Sequence, residues 1–541
     1  MLTITSLFEN TVAKYPDRLA LVCGGTRYTY AQWDVRVRGL AQALFDLGVR
    51  QTDRVAIFQK TSDATATAYL ACQLLGAIAV PMNYRLSANE AAFILRDAGA
   101  RALIYDDTML PVVAKIEHAL PDLRIYVCVT GHGEESADAS APLHHHDFDA
   151  LIDSTRHRDA PLPTLSSDDI SALVYTSGTT GRPKGAIHTH GNDVAIASNC
   201  VMEYSLTSTD SALHIAPLYH VGGMQAYFIP HLMVGAANIV LPRYDPQRTL
   251  AAIAQHRITT LFAVPTQIQD MLFHPAFAQT DHSSLRMITT GGAAIPAATM
   301  QRVIDEFCAN IYNGYGMTEA SLTLLLHPRD ALSRLGSCGK PTLISTCRIV
   351  TNDPERAVPA TECVAPGEVG QLIVRGPQLA RAYWNNPVET AKKFRDGWLY
   401  TGDLFSVDAG GYFHFHGRAD DMIVSGGENI YPREVEEVLY HCPGVQEAAV
   451  IGVPDAKWGQ AVTAFVVRSD AKLSEDAIIA FCKASDDLAP YKRPKKVLFV
   501  DRLPLNPSGK VLRRELAAWV THEQAHEQAH EQVHDQLRTG T

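Results

Sequence analysis

At 541 residues the chain is longer than one hydrophobic core usually serves, so several subdomains are expected. Its composition, 46% hydrophobic and 19% charged, is that of an ordinary globular enzyme. A balance of 47 Lys and Arg against 58 Asp and Glu, net −11, disfavours non-specific nucleic-acid binding. The N-terminus lacks a basic region followed by an apolar core, so no secretory signal is expected. The best apolar run, 68–81, is too short to span a membrane and reads as a buried helix running into a strand. The 10 cysteines form no CxxC pair, which argues against a zinc ribbon or disulfide framework and fits reduced thiols in the cytoplasm.

Along the chain, Ala31 to Leu47 carries apolar residues at helical spacing and ends at Gly48, a C-cap. Arg54 to Phe58 and Ala100 to Tyr105 read as strands, and the alternation predicts a largely parallel α/β sheet. Gly131 to Asp169 breaks the pattern with Gly, Ser, Pro and Asp and reads as a long surface loop with a little local structure. Its run His144-His145-His146 is assigned to solvated surface, because adjacent side chains in a loop rarely converge on a metal.

Ile170 to Tyr175 reads as a short buried strand feeding YTSGTTGRPKG, residues 175–185. Gly178, Gly181 and Gly185 allow close backbone approach to a ligand. Thr176, Ser177, Thr179 and Thr180 add hydroxyl donors to an anion-binding turn, and Lys184 brings a mobile charge for phosphate oxygens. Arg182-Pro183 separate this loop from the common P-loop pattern, and a flexible Ser/Thr/Gly loop is the alternative reading.

Residues 172–350 resume the α/β alternation. From about Val364 short β segments follow, including Gly370 to Arg375 and Gly411 to His416. Past Arg418 lies a compact unit whose first helix opens at Pro432, with Glu434, Glu436 and Glu437 near its positive end. The tail repeats His522, His526, His530 and His534 every four residues, as in a frayed helix or disordered chain; whether it binds metal is left open.

Five further segments accompany the loop. Residues 216–223, APLYHVGG, set His220 before a glycine pair in a pocket wall. Residues 312–319, YNGYGMTE, bring an aromatic face, a hydroxyl and a carboxylate together. Residues 400–404 carry Asp403, suited to a ribose diol. Residues 417–430 lie at the expected domain boundary, and Asn506-Pro-Ser-Gly-Lys510 sets a lysine on a turn.

In order and spacing these segments resemble the adenylate-forming (AMP-binding) superfamily of acyl-CoA synthetases, luciferases and peptide-synthetase adenylation domains, over roughly residues 5–518. Within it the chain resembles the acyl-CoA synthetase branch, with bacterial halobenzoate–CoA ligases and fatty-acid–CoA ligases. The resemblance implies an α/β fold: a large N-terminal adenylation domain of two α/β subdomains plus a small β-barrel-like part, and a small mobile α+β C-terminal domain. The expected boundaries are 1–417, a hinge at 418–421, 422–518 and a tail at 519–541.

It also implies an ATP-dependent carboxylic acid–CoA ligase that forms an acyl-adenylate and then a thioester, with ATP, Mg²⁺ and CoA. Thr176, Ser177, Gly178, Thr179, Thr180 and Lys184 would hold the β- and γ-phosphates, Glu319 the Mg²⁺ and Thr318 the α-phosphate. Tyr315 would stack on adenine, and Asp403 and Arg418 would take the ribose. Lys510 would bridge carboxylate and α-phosphate, and Asp420 is the expected hinge that brings Ser425, Gly426 and Gly427 to the thiol channel. Arg85, Trp458, Tyr491, Arg493 and Lys495 would grip CoA; independently, YKRPKK sets basic groups beside an aromatic face.

The implied acid pocket is Ala197, His220, Val221, Gly222, Phe262, Gly292, Ala293, Gly316, Ser321 and Leu322. It holds no Arg or Lys for a second carboxylate, which favours an aryl or medium-chain aliphatic monocarboxylic acid. His220 joins the catalytic set as a gate, with simple wall packing as the alternative. An acyl-AMP ligase loading a carrier-protein thiol is the competing activity. The expected partners are small molecules, with no nucleic acid or integral membrane segment, and a homodimer is left open.

Overall fold

The computed structural model describes residues 2–131, 145–155, 160–176, 183–293, 295–353, 356–425, 428–455, 457–485, 488–505 and 511–520. The chain divides into two compact units, residues 1–347 with 373–400, and residues 348–372 with 401–541.

The first unit is built on two sheets. One has seven strands in the order His145–Asp147, Ile125–Val129, Ala100–Asp106, Arg54–Phe58, Ile78–Pro81, Ile170–Thr176, Lys184–Thr189. Its strands run parallel except Lys184–Thr189, which pairs antiparallel with Ile170–Thr176. The other has nine strands, with Ser211–His214, Thr260–Phe262, Met287–Gly291 and Ile311–Met317 parallel at its centre. Such strands, covered on both faces, read as the short apolar runs seen in the sequence.

Helix Tyr30–Asp46 starts at a Thr29/Gln32 capping box, and Gly48 takes the left-handed φ of 95° past its end. Helix Asp63–Leu75 is buried at every position after Asp63. Its core cluster draws Leu21 and Val240 from the nine-stranded sheet and Val55 and Ala79 from the seven-stranded one. That explains its lack of a polar face.

The expected surface loop at 131–169 is corrected in part. Residues His145–Asp147 form an edge strand, which places His145 and His146 in a sheet. Helix Phe148–Thr155 follows, with Phe148 and Ile152 buried. It packs on helix Tyr30–Asp46 so closely that a Cβ on Gly39 would sit 3.2 Å from Ile152 Cγ2. The loop's polar composition masked a short apolar stripe at Phe148, Leu151 and Ile152. His144 lies outside the described residues.

In the second unit, Phe413–Arg418 pairs antiparallel with residues 403–407, opposing Asp403 to Arg418. This strand starts two residues later than the expected Gly411, because Gly411 turns with φ 79°. Val445–Asp455 and Gly459–Arg468 form a long hairpin joined in parallel by Lys496–Phe499. Helices Pro432–Tyr440 and Glu475–Ala484 share an apolar core with this sheet, and Leu503, Leu516 and Val520 belong to a second apolar cluster on it.

The acidic start of helix Pro432–Tyr440 needs a second correction. Glu436 is buried, accepts from Val450 N–H at 2.9 Å and pairs with Arg513 at 2.5 Å, so its role is an internal ion pair rather than macrodipole compensation. Among the described residues no helix is long and apolar enough to cross a membrane.

Candidate active site

Thr176 pairs with Lys184 in the antiparallel register of strands Ile170–Thr176 and Lys184–Thr189. Ser177, Gly178, Thr179 and Thr180 lie outside the described residues. Gly185 packs closely, since a Cβ there would stand 3.0 Å from the Tyr175 ring. Lys184 Nζ lies 2.6 Å from Glu389 Oε2 and 5.5 Å from the Tyr383 ring centroid. Lys184, and then Lys392, hold the Glu389 carboxyl below the usual carboxylate range.

Residues 312–319 run down Ile311–Met317 into a tight hairpin with Ser321–Leu326. Ser321 adopts φ 49°, and a Cβ on Gly316 would come within 2.1 Å of its carbonyl oxygen. Only glycine fits at 316, and the turn carries Thr318 and Glu319 on a fixed backbone. Glu319 is 6% exposed, and the Tyr383 hydroxyl donates to its Oε1 at 2.6 Å. Behind the turn, His188 Nε2 meets the Thr318 carbonyl at 3.0 Å. Tyr315 is half-buried in the strand before the turn.

Of the expected acid pocket, His220, Gly222 and Phe262 come together. A Cβ on Gly222 would lie 3.3 Å from His220 Nδ1 and 3.4 Å from the Phe262 ring. Gly222 N–H donates to His220 Nδ1 at 3.1 Å, which leaves the ring proton on Nε2. Phe262 and Leu322 pack on one apolar cluster with Ile196 and Tyr227. Ala197 and Val221 are buried, Ala197 in a different cluster with Leu218 and Met224. Gly292 and Ala293 are exposed just past Met287–Gly291. Arg85 is exposed and donates to the Tyr84 hydroxyl, and the Tyr84 ring meets Tyr219 edge-on at 6.0 Å, beside His220.

The second unit carries the remaining positions. Asp403 is 6% exposed, and Arg418 Nη1 lies 3.3 Å from its Oδ1. The Thr401 hydroxyl donates to the Leu372 carbonyl and accepts from Asp403 N–H, which fixes the strand there. Asp420 sits in the single turn Ala419–Asp421, and Ser425 pairs with Glu428. Trp458 tops the long hairpin, where Asp455 Oδ1 accepts from Lys457 and Trp458 N–H. Lys495 Nζ stands 5.3 Å from the Trp458 ring centroid. Tyr491 is exposed and Arg493 half-buried, whereas Lys492 is committed to Glu434. Gly426, Gly427 and Lys510 lie outside the described residues.

The AMP-binding enzyme family pattern matches residues 8–384, and that of the AMP-binding enzyme C-terminal domain matches 434–510. The chain belongs to the AMP-binding enzyme family. It is 40% identical over 503 residues to feruloyl-CoA synthases of Amycolatopsis sp and Streptomyces sp, covering 93% of this chain and 96% of theirs. It is 34% identical to the long-chain-fatty-acid–CoA ligase FadD13 of Mycobacterium tuberculosis, over 91% of this chain and 92% of that one. The anthranilate CoA ligase AuaEII in complex with anthranoyl-AMP superposes with a TM-score of 0.85 at 30% identity, over 96% of this chain and 97% of that one. This AMP-binding enzyme is therefore an ATP-dependent acid–CoA ligase that works through an acyl-adenylate.

The Mg²⁺ that accompanies ATP in such ligases fits the residues present. Among the described residues no group of three or more His, Cys, Asp and Glu could hold a metal. One carboxylate such as Glu319, completed by nucleotide phosphate oxygens and water, would make the oxygen-rich set this hard cation takes.

Sequence reasoning missed the segment at 380–384. Ala380 N–H donates to the Glu319 carbonyl, Arg381 and Ala382 bond Ile187, and Trp384 N–H bonds the Gly185 carbonyl. This extended segment straps strand Lys184–Thr189 to the Glu319 turn. The signal was faint: Tyr383-Trp384 followed by Asn386, the N-cap of Pro387–Lys393.

Proposed function

We propose that this AMP-binding enzyme activates an arylpropenoic acid of the ferulate kind and transfers it to free CoA in the cytoplasm. The observation that carries the acid class is the convergence of the Phe262 ring and His220 on Gly222, an aromatic wall against which a flat aryl group could pack. The greater similarity to feruloyl-CoA synthases than to the fatty-acid ligase supports the same reading. No pocket position offers a cation for a second carboxylate. The uncombined cysteines are consistent with a reducing compartment.

In the first half-reaction a carboxylate oxygen bonds to the α-phosphorus as the α–β anhydride bond breaks, and pyrophosphate leaves. Two anions meet, so positioning and charge neutralisation dominate. Thr176, Ser177, Gly178, Thr179, Thr180 and Lys184 hold the departing phosphates, Thr318 the α-phosphate, Tyr315 the adenine, and Asp403 with Arg418 the ribose. Lys510 bridges the reacting oxygens. Glu319 holds Mg²⁺, which neutralises phosphate charge when bound.

In the second half-reaction the CoA thiolate attacks the adenylate carbonyl and AMP leaves. Rotation of 422–518 about Asp420 exchanges Lys510 for Gly426 and Gly427. Arg85, Trp458, Tyr491, Arg493 and Lys495 grip the CoA nucleotide, and His220 gates the acyl pocket.

The test is pyrophosphate release and thioester formation with ferulate, 4-coumarate, benzoate, octanoate and palmitate, with and without CoA. The highest kcat/KM is expected with the propenoic acids. Preference for palmitate would overturn the acid class. Accumulation of acyl-AMP indifferent to free CoA would instead support a carrier-loading enzyme.

A further inference from the structure

Glu319 is buried, carries a single carboxylate into the site, and must present one oxygen outward in a reproducible direction to serve a metal. A free glutamate has three rotatable bonds to fix before it can do so. The hydrogen bond from the Tyr383 hydroxyl, 2.6 Å to Oε1, supplies that constraint and leaves Oε2 for a ligand. We infer that Tyr383 is a positioning residue for metal coordination, setting the Glu319 carboxylate for Mg²⁺·ATP.

Tyr383 is itself held on every side. It is 5% exposed, its ring meets Phe394 edge-on at 5.7 Å, and its N–H donates to Thr390 Oγ1 at 3.0 Å. It bridges to Ala186 in the strand that begins at Lys184, and Lys184 Nζ stands 5.5 Å from its ring centroid. One side chain therefore touches both the carboxylate and the lysine that the proposed function assigns to the nucleotide's metal and phosphates. Partners that orient a metal ligand in this way are typically worth about 10- to 100-fold in metal affinity.

The inference rests on Glu319 as the metal ligand, and the experiment separates the two claims. ATP binding to the full chain is measured by calorimetry without metal and at saturating Mg²⁺, for wild type, Tyr383→Phe, Glu319→Gln and the double variant. The readout is the factor by which Mg²⁺ tightens ATP binding. Tyr383→Phe keeps the ring on Phe394, and metal-free AMP binding reports that the site is still folded.

Tyr383→Phe is expected to reduce the Mg²⁺ factor about 10-fold, with AMP binding unchanged. Glu319→Gln should reduce it at least as much, and the double variant should match Glu319→Gln alone. In kinetics, the KM for ATP at limiting Mg²⁺ should rise while kcat recovers at high Mg²⁺. An unchanged factor in Tyr383→Phe beside a reduced one in Glu319→Gln overturns the positioning role alone. An unchanged factor in Glu319→Gln overturns both claims.

Discussion

His188 Nε2 lies 3.0 Å from the Thr318 carbonyl oxygen, and because a carbonyl only accepts, the imidazole donates. Its other nitrogen faces Asp193 Oδ1 at 3.3 Å, and the Ser171 hydroxyl donates to Asp193 Oδ2 at 2.6 Å. His188, Asp193 and Ser171 are all fully buried. Strand Lys184–Thr189 is thereby tied to the turn that carries Thr318 and Glu319.

Replacing His188 with Leu should leave the Thr318 carbonyl without this donor. A buried polar group left unsatisfied costs about 1–3 kcal/mol, and a loss in that range is expected. The urea unfolding midpoint reads it. A His188→Leu/Asp193→Asn pair should cost less than the sum of the single changes, because the two residues share one network.

Lys184 and Asp403 should separate by ligand. Lys184→Met is expected to weaken ATP binding by about 10- to 100-fold, the loss of a charge-assisted phosphate contact, and to spare AMP. Asp403→Ala should weaken ATP and AMP alike, because both carry the ribose. Equal loss of ATP and AMP in Lys184→Met would remove the lysine from the β- and γ-phosphates.

Asp210 and Arg286 make a bidentate pair at 2.6 and 2.7 Å, and Thr259 and Thr207 N–H add further donors to the carboxylate. Burial by itself would raise the Asp210 carboxyl, but Arg286 and these donors outweigh it and hold it below its ordinary value. A lowered folded-state value adds stability that is complete above the unfolded carboxylate range, about pH 4, and lost as pH falls through the folded value. Arg286→Leu should cost about 3–5 kcal/mol near neutral pH. The gap between wild-type and variant melting temperatures should narrow below about pH 4.

Lys510→Ala should slow adenylation about 100- to 1,000-fold, the usual cost of one transition-state charge partner. Thioester formation from preformed acyl-adenylate should survive largely intact. Equal loss in both half-reactions would defeat the alternation of the C-terminal domain. Asp420→Pro should retain pyrophosphate release and stall thioester formation, read in the same two assays.

Elements with a strong local pattern were legible in the sequence. Arg54–Phe58 and Ile170–Thr176 announce themselves as apolar runs, and helix Tyr30–Asp46 by its period and by Gly48. Helix Phe148–Thr155 was hidden because three apolar residues in a polar stretch form too short a stripe to stand out. Glu436 looked like an acidic helix start, and only its burial against Arg513 gave it another role.

The sequence by itself determined the chemistry: a glycine-rich loop ending in Lys184, a Tyr-Gly-Met-Thr-Glu run ending in Glu319, and Asp403 and Arg418 in order. Those signals are local, written in neighbouring residues whose spacing the backbone enforces. Tertiary structure alone decided how the groups are held. Tyr383 reaches Glu319 across 64 residues of chain, and His188 reaches Thr318 across 130. Contacts at such separations come from the packing of whole strands, which leaves no periodic trace near either partner.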